Sequence, residues 1–185
     1  MPQNDFHFSK RYQNNKTLHV AVMDLLGASV DAIVNPANSG LSHGGGLAAV
    51  MSDQAGPGLD NECLRIIETV GKIPLTYAVP TKSYDLGFKG IIHAVGPRMG
   101  DGDEQAKEEQ TIINALKVAE EKNWHSVAFP ALGTGIFMIP QKVCAHAFKE
   151  AINRYWQSNP DSIVDVIWLC LTIENFHVFK EIMNN

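Results

Sequence analysis

The chain has 185 residues, 45% of them hydrophobic, which suits one domain with one sizeable core and makes two domains a stretch. A formal charge of -5 and a pI near 5.8 argue against the basic stripe with which nucleic-acid binders neutralise phosphates. No run approaches the ~20 apolar residues of a membrane span, and the polar first 15 residues lack the apolar core of a secretory signal, so a cytoplasmic protein is expected.

In chain order, a polar arm over 1–16 precedes a core over 17–183, the whole read as a single domain. Residues 18–23 and 31–35 read as short strands, 47–56 and 58–70 as helices, and 78–80 and 90–95 as further strands. Residues 99–103 read as a surface loop. Ile112, Ile113, Leu116 and Ala119 recur at helical spacing within 104–122, as do Val143, Ala147, Ala151 and Ile152 within 140–156, where Pro140 suits a first turn. Strands are expected at 126–130 and, as one long run, at 163–173, whose near-continuous apolar composition suits a strand covered on both faces. Strands alternating with helices imply a sheet with helices on both sides.

Cys63, Cys144 and Cys170 are widely spaced and form no ligand pattern with the histidines, so neither a metal nor a disulfide framework is expected, and no cofactor. All three read as buried small apolar residues.

Two glycine-bearing loops carry the functional signal. Residues 35–46 (NPANSGLSHGGG) and 130–137 (PALGTGIF) each follow an apolar strand and precede a helix. Ligands collect where strand C-terminal ends meet helix N-termini, because unpaired N–H donors and the positive end of the helix dipole attract anions there. Neither 35–58 nor 126–140 contains Lys or Arg, so an anion held there is held by main-chain dipoles, which favours a diphosphate over a nucleic-acid backbone.

Individual residues admit plainer readings. Asp24 reads either as a strand terminator or as an acceptor for a ligand amine. Asn35 reads as the residue that pins its loop, and Asn38 as a turn residue or a ligand contact. His43 divides evenly between a solvated loop histidine and a proton shuttle or donor. His93 reads as a satisfied core histidine, Phe137 as a ring exposed at a pocket rim, and Trp124, Trp156 and Trp168 as packing residues.

Residues 22–25 (VMDL), 34–38 (VNPAN), 43–46 (HGGG), 92–97 (IHAVGP) and 130–137 occur in macrodomain order, and the chain resembles a macrodomain from about residue 18 to 173. Within that family, residues 45–50 followed by Ala55, Gly56 and Pro57 look most like the first macrodomains of macrodomain-bearing ADP-ribosyltransferases and like viral and archaeal relatives with the His-Gly-Gly-Gly loop. The resemblance implies a three-layer α/β/α fold around a mixed, mostly parallel sheet of about six strands, in a monomer. It implies ADP-ribose, free or on protein, as ligand: Asp24 accepting from the adenine amino group beside the Leu25 N–H, and Asn38 on the distal ribose. Gly44, Gly45, Gly46 and Leu47 would pass under that sugar and the adjoining phosphate, and Pro36 would be a further ADP-ribose contact. Gly133, Thr134, Gly135 and Ile136 would close over the diphosphate, and Phe137 would lie against the ribose. Thr172 stands where many relatives place an aromatic ring over adenine, and Met138 where relatives usually have glycine. Ala48 stands where MacroD-type hydrolases carry an aspartate.

The resemblance therefore implies hydrolysis of mono-ADP-ribose from modified protein, chiefly at Asp or Glu esters, with Asn38 and His43 as catalytic residues. The alternatives it leaves are a non-catalytic reader of ADP-ribosylated protein, or a hydrolase of O-acetyl-ADP-ribose or ADP-ribose-1''-phosphate. Partners would be modified proteins, with no nucleic acid and no membrane.

Overall fold

The computed structural model describes residues 6–184. Strands β1 (His7–Arg11), β2 (Thr17–Val22), β3 (Ala32–Ala37), β4 (Ala78–Thr81), β5 (Gly90–Val95), β6 (Ser126–Pro130) and β7 (Val166–Leu171) form one sheet in the order β1-β2-β7-β6-β3-β5-β4. The inner strands run parallel, while β1 and β4 are antiparallel edges. The sheet thus has seven strands rather than about six. The extra one, β1, lies in the stretch expected to be a polar arm; residues 1–5 of that arm lie outside the described residues. Its burial alternates because one face packs and the other meets solvent.

Five helices cover the sheet: α1 (Gly46–Ala55), α2 (Pro57–Val70), α3 (Glu104–Glu121), α4 (Gln141–Ser158) and α5 (Ile173–Asn184). Successive strand residues point to opposite faces, so Val34, Ile92, Phe129 and Leu169 pack under α3, α4 and α5. Ile33, Ile91, Ala128 and Cys170 pack under α1 and α2 with Met51, Leu59 and Cys63. Every residue of β5 is buried, as expected of a strand covered on both sides. The long strand expected over 163–173 is shorter: it stops at Leu171, and Ile173 opens α5. Phe176, Phe179, Ile182 and Met183, buried at helical spacing in α5, carried the signal for that helix.

One contact fixes the entry of β5. A Cβ on Gly90 would collide with the Trp124 ring and lie 2.8 Å from Thr81 O. Gly90→Ala is expected to cost ~1–3 kcal/mol, since neither backbone nor indole can withdraw cheaply, and a urea midpoint measures it.

Glu108 on α3 is 1% exposed, and neither carboxyl oxygen has a partner. It closes against Gly96, where a Cβ would lie 2.9 Å from Oε2. Burial pushes this carboxyl from its ordinary 4.5 up to about 8, so it stands neutral at pH 7. Because the folded carboxyl is harder to ionise than the unfolded one, the stability it confers is complete below 4.5 and is lost as pH rises through about 8. Glu108→Gln is expected to flatten that decline, which unfolding midpoints measured across the interval will show.

Candidate functional site

β3 and β6 are neighbours, but they pair only at Ala32 with Val127 and Ile33 with Ala128. Beyond those residues β3 continues to Ala37, hydrogen-bonded to β5, and β6 continues to Pro130, hydrogen-bonded to β7. The two strands therefore part at their C-terminal ends. The chain leaves β3 toward β5 and leaves β6 toward β7, so the gap lies where the direction of winding reverses.

A cavity of about 400 Å³ fills this gap. It runs along the C-terminal ends of four adjacent strands: Met23 and Asp24 after β2, Cys170 to Thr172 at β7, Pro130 and Ala131 at β6, and Pro36 on β3. At the β2 and β7 end, Asp24 is exposed and caps a short turn of 3-10 helix (Leu25–Gly27), accepting from Leu26 N at 3.0 Å through Oδ1. Asp24 thus ends its strand with a cap and also lines the cavity. Its charge is felt by Cys170, whose thiol is pushed up to about 12 by burial first and by Asp24 second. Thr172 caps α5 through Asn175 N at 3.3 Å, and both residues line the cavity.

At the β3 end, α1 begins at Gly46 with no side-chain cap. Its opening N–H groups have no partner within the helix by geometry, and Gly45, Gly46, Leu47 and Ala48 line the cavity. Gly46 takes φ +60, the left-handed region where a side chain is strained. Opposite, the loop after β6 folds on itself: Thr134 N and Oγ1 both donate to Ala131 O, Met138 N to Gly135 O and Ile139 N to Gly133 O. Among the described residues, those bonds leave the N–H groups of Gly133, Gly135, Ile136 and Phe137 without an internal acceptor. Gly133 (φ +80) is required as glycine, since a Cβ there would lie 3.0 Å from Ile139 Cδ1 and 3.2 Å from Cys144 Sγ.

The loops meet across the cavity, with Ile136 Cγ2 3.7 Å from where a Cβ on Gly46 would stand. Ile136, which lines the cavity, is 70% exposed, and Met138 farther along the same loop is 74% exposed. Phe137, expected at a pocket rim, is instead 7% exposed: it lines the cavity from inside, with the Arg98 guanidinium 5.3 Å from its ring centre.

Of the expected residues, Asp24, Leu25, Pro36, Gly45, Gly46, Leu47, Gly133, Thr134, Gly135, Ile136, Phe137 and Thr172 line this one cavity, whereas Asn38, His43 and Gly44 do not. Asn38 is spent on its own turn: Oδ1 accepts from Gly40 N and Ser42 N at 3.1 Å, and Nδ2 donates to Ser42 O at 2.9 Å. The His43 side chain is 4% exposed and its Nδ1 meets Asp60 Oδ1 at 2.6 Å, in a separate depression beside Gly40, Ser42 and Leu64. Asn35, expected to pin its loop, instead lies within β3 and ties it to β5, with Nδ2 3.0 Å from His93 Nδ1; His93 is fully buried. Sequence reasoning missed Asn175, because it carried the last strand past the residue where α5 begins.

The family model for the Macro domain matches residues 34–148. A Macro domain-containing protein of Listeria monocytogenes is 36% identical over 165 residues, spanning 88% of this chain and 94% of that protein. An O-acetyl-ADP-ribose deacetylase of Escherichia coli K12 is 31% identical over 170 residues, 90% of this chain and 94% of the relative. Among solved structures, the Oceanobacillus iheyensis macrodomain with ADP superposes with a TM-score of 0.88 at 26% identity, over 96% of each chain. The strand order, the cleft between the two glycine loops and these similarities agree, and the chain belongs to the Macro domain family.

Proposed function

We propose that the cleft binds ADP-ribose and that the protein hydrolyses acyl esters carried on its distal ribose. The observation that carries this reading is the pair of backbone segments with unpaired N–H groups, at the start of α1 and in the loop after β6, whose residues line one cavity that, among the described residues, no Lys or Arg lines. Two linked phosphates suit such a gap. Asp24, an acceptor-only carboxylate at the far end, suits an exocyclic amine, with the Leu25 N–H beside it. The Escherichia coli relative named as an O-acetyl-ADP-ribose deacetylase supports an ester substrate. Esters of protein Asp and Glu side chains present the same bond.

In the reaction, water adds to the acyl carbon, the bond from that carbon to the ribose oxygen breaks, and the ribose leaves as a hydroxyl. Among the described residues, the ionisable side chains lining the cavity are Asp24 and Cys170, and burial keeps Cys170 a thiol. With Ala48 at the start of α1, no carboxylate among the described residues lines the α1 end of the cavity. The ligand's own phosphate is then left to orient the water, and the loops supply positioning, which contributes several kcal/mol and about 7 in well-oriented systems. Asn38 and His43 serve this reaction by holding the loop before α1. The same shortage of ionisable groups favours a second reading, a reader that retains ADP-ribosylated protein without cleaving it.

Three substrates separate these readings: Glu-linked and Ser-linked mono-ADP-ribosylated protein, and O-acetyl-ADP-ribose. The expected result is release of ADP-ribose from the Glu-linked protein and of acetate from the small ester, with the Ser-linked protein untouched. Retention of modified protein with no release from either ester would make the protein a reader. Calorimetry with ADP-ribose is expected to show Asp24→Ala binding ~10-fold weaker or more, as fits loss of a charged hydrogen bond of ~1.5–3 kcal/mol. Gly46→Val, which forces a branched side chain into the left-handed region beside the cleft, is expected to abolish binding.

A further inference from the structure

Three donor side chains that the sequence keeps far apart meet behind the loop that leads into α1. One ligand atom from each of His43, Cys63 and His93 lies within 4.8 Å of those of the other two. They come from the loop after β3, from α2 and from β5. Cys63 Sγ is 3.9 Å from His93 Nε2, and the two imidazole centres are 5.7 Å apart. All three are interior groups: Cys63 is 2% exposed, His93 0%, and the His43 side chain 4%.

A second observation is independent of that clustering. Asp60 occupies Nδ1 of His43, and the other ring nitrogen, Nε2, is buried with no hydrogen-bond partner among the described residues. Buried polar atoms are satisfied in the great majority of cases, so an orphaned imidazole nitrogen beside a thiol and a second imidazole asks for an occupant. Two imidazoles and a thiol form a donor set suited to zinc.

We propose that His43 Nε2, Cys63 Sγ and His93 Nε2 bind a divalent cation of the zinc type, with a water completing a tetrahedral site. Bonds of ~2.0–2.3 Å place tetrahedral donors ~3.3–3.8 Å apart, so separations of up to 4.8 Å close by about an ångström, within the reach of side-chain rotation. Both imidazoles are already oriented from behind. Asp60, itself held by the Ser52 hydroxyl at 2.7 Å, backs His43, and the Asn35 amide backs His93 at 3.0 Å. Carboxylate or carbonyl behind histidine is the usual support of a metal ligand. The Asn35 Oδ1 also lacks a partner; turned end for end, that amide accepts Nδ1–H of His93 and leaves the Nε2 lone pair for the cation. Thr81 Oγ1, 2.9 Å from the same nitrogen, keeps its bond to Lys82 O at 3.0 Å and moves off Nε2.

The binding step balances simply. Cys63 loses its S–H proton to solvent, the sulfur pair and one lone pair from each neutral imidazole go to the cation, and nothing is oxidised or reduced. The Cys63 thiolate and the Asp60 carboxylate together match the charge of the cation. Once occupied, the site cross-links the loop after β3 to α2 and β5, and so braces the wall from which residues 45–48 reach the cleft.

The test uses the full chain stripped with chelator and titrated with zinc chloride or cobalt chloride alone. The expected result is one zinc per chain, a raised melting temperature, and a cobalt spectrum with a thiolate charge-transfer band and four-coordinate visible bands. Cys63→Ser is expected to remove the band and weaken zinc binding ~100-fold or more, whereas Cys144→Ala and Cys170→Ala keep both. If Cys63→Ser does not fold, His43→Gln, altered on a loop, replaces it with the same expectation for affinity. Asp60→Asn, which keeps all three ligands, is expected to weaken binding ~10–100-fold. Absence of zinc binding at micromolar metal, or binding and a cobalt band that survive both Cys63→Ser and His43→Gln, would overturn the proposal.

Discussion

Everything in this site follows from how far β3 and β6 stay paired. They share two residue pairs and then diverge, each remaining bonded to its outer neighbour. Parallel strands satisfy their backbone groups through adjacent strands, so a gap opened inside a sheet leaves donors that need another partner. Pro36 and Pro130 reduce that demand, because each lacks an N–H where the strands separate. What remains is a cleft floored by the ends of parallel strands and walled by two turns of backbone.

The walls offer backbone dipoles rather than cations. The molecule carries a formal charge of -5, and among the described residues the cleft is lined by a carboxylate and no cation, so long-range attraction of an anionic ligand is weak. Short-range dipoles replace it: N–H groups fixed by loop hydrogen bonds need no reorganisation to receive phosphate oxygens. This explains why glycines concentrate there. At Gly46 and Gly133 the backbone takes positive φ, and at Gly133 a Cβ would also press on Ile139 and Cys144. The cost falls on the loops, which depend on side chains behind them to hold their shape. Asn38 ties one turn internally, Thr134 ties the other, and the His43 to Asp60 contact joins the first loop to α2.

Behind the first loop lie the buried polar groups Asn35, Ser52, Thr81 and His93, with the exposed Asp60 at their edge. His93 is held neutral, its pKa lowered to about 3 by burial first and by His43 second. Asp60 is held below the usual carboxylate range by the Ser52 hydroxyl first and by His43 after it. A core next to a binding loop gains nothing from such groups unless their hydrogen bonds or ligands specify one arrangement of the loop.

The local pattern of the chain determined the alternation of strands and helices, the two glycine loops at strand ends and the lack of cations near them, because these depend on periodicity and residue type over a few positions. It also carried the burial of the three cysteines. It did not reveal β1, whose polar alternating residues become a strand only through pairing with the edge of β2. Nor did it separate β7 from α5, since Leu171 and Ile173 are equally apolar and only the turn at Thr172 divides them. Whether a loop side chain faces the ligand or the core was likewise settled by packing. His43 and Phe137 sit on loops that bound the cleft, yet α2 draws one imidazole inward to Asp60 and the cleft wall encloses the other ring. Spacing along the chain said nothing of His43, Cys63 and His93 as a group, because their meeting is made by a loop, a helix and a strand whose separation in sequence bears no relation to their distance in space.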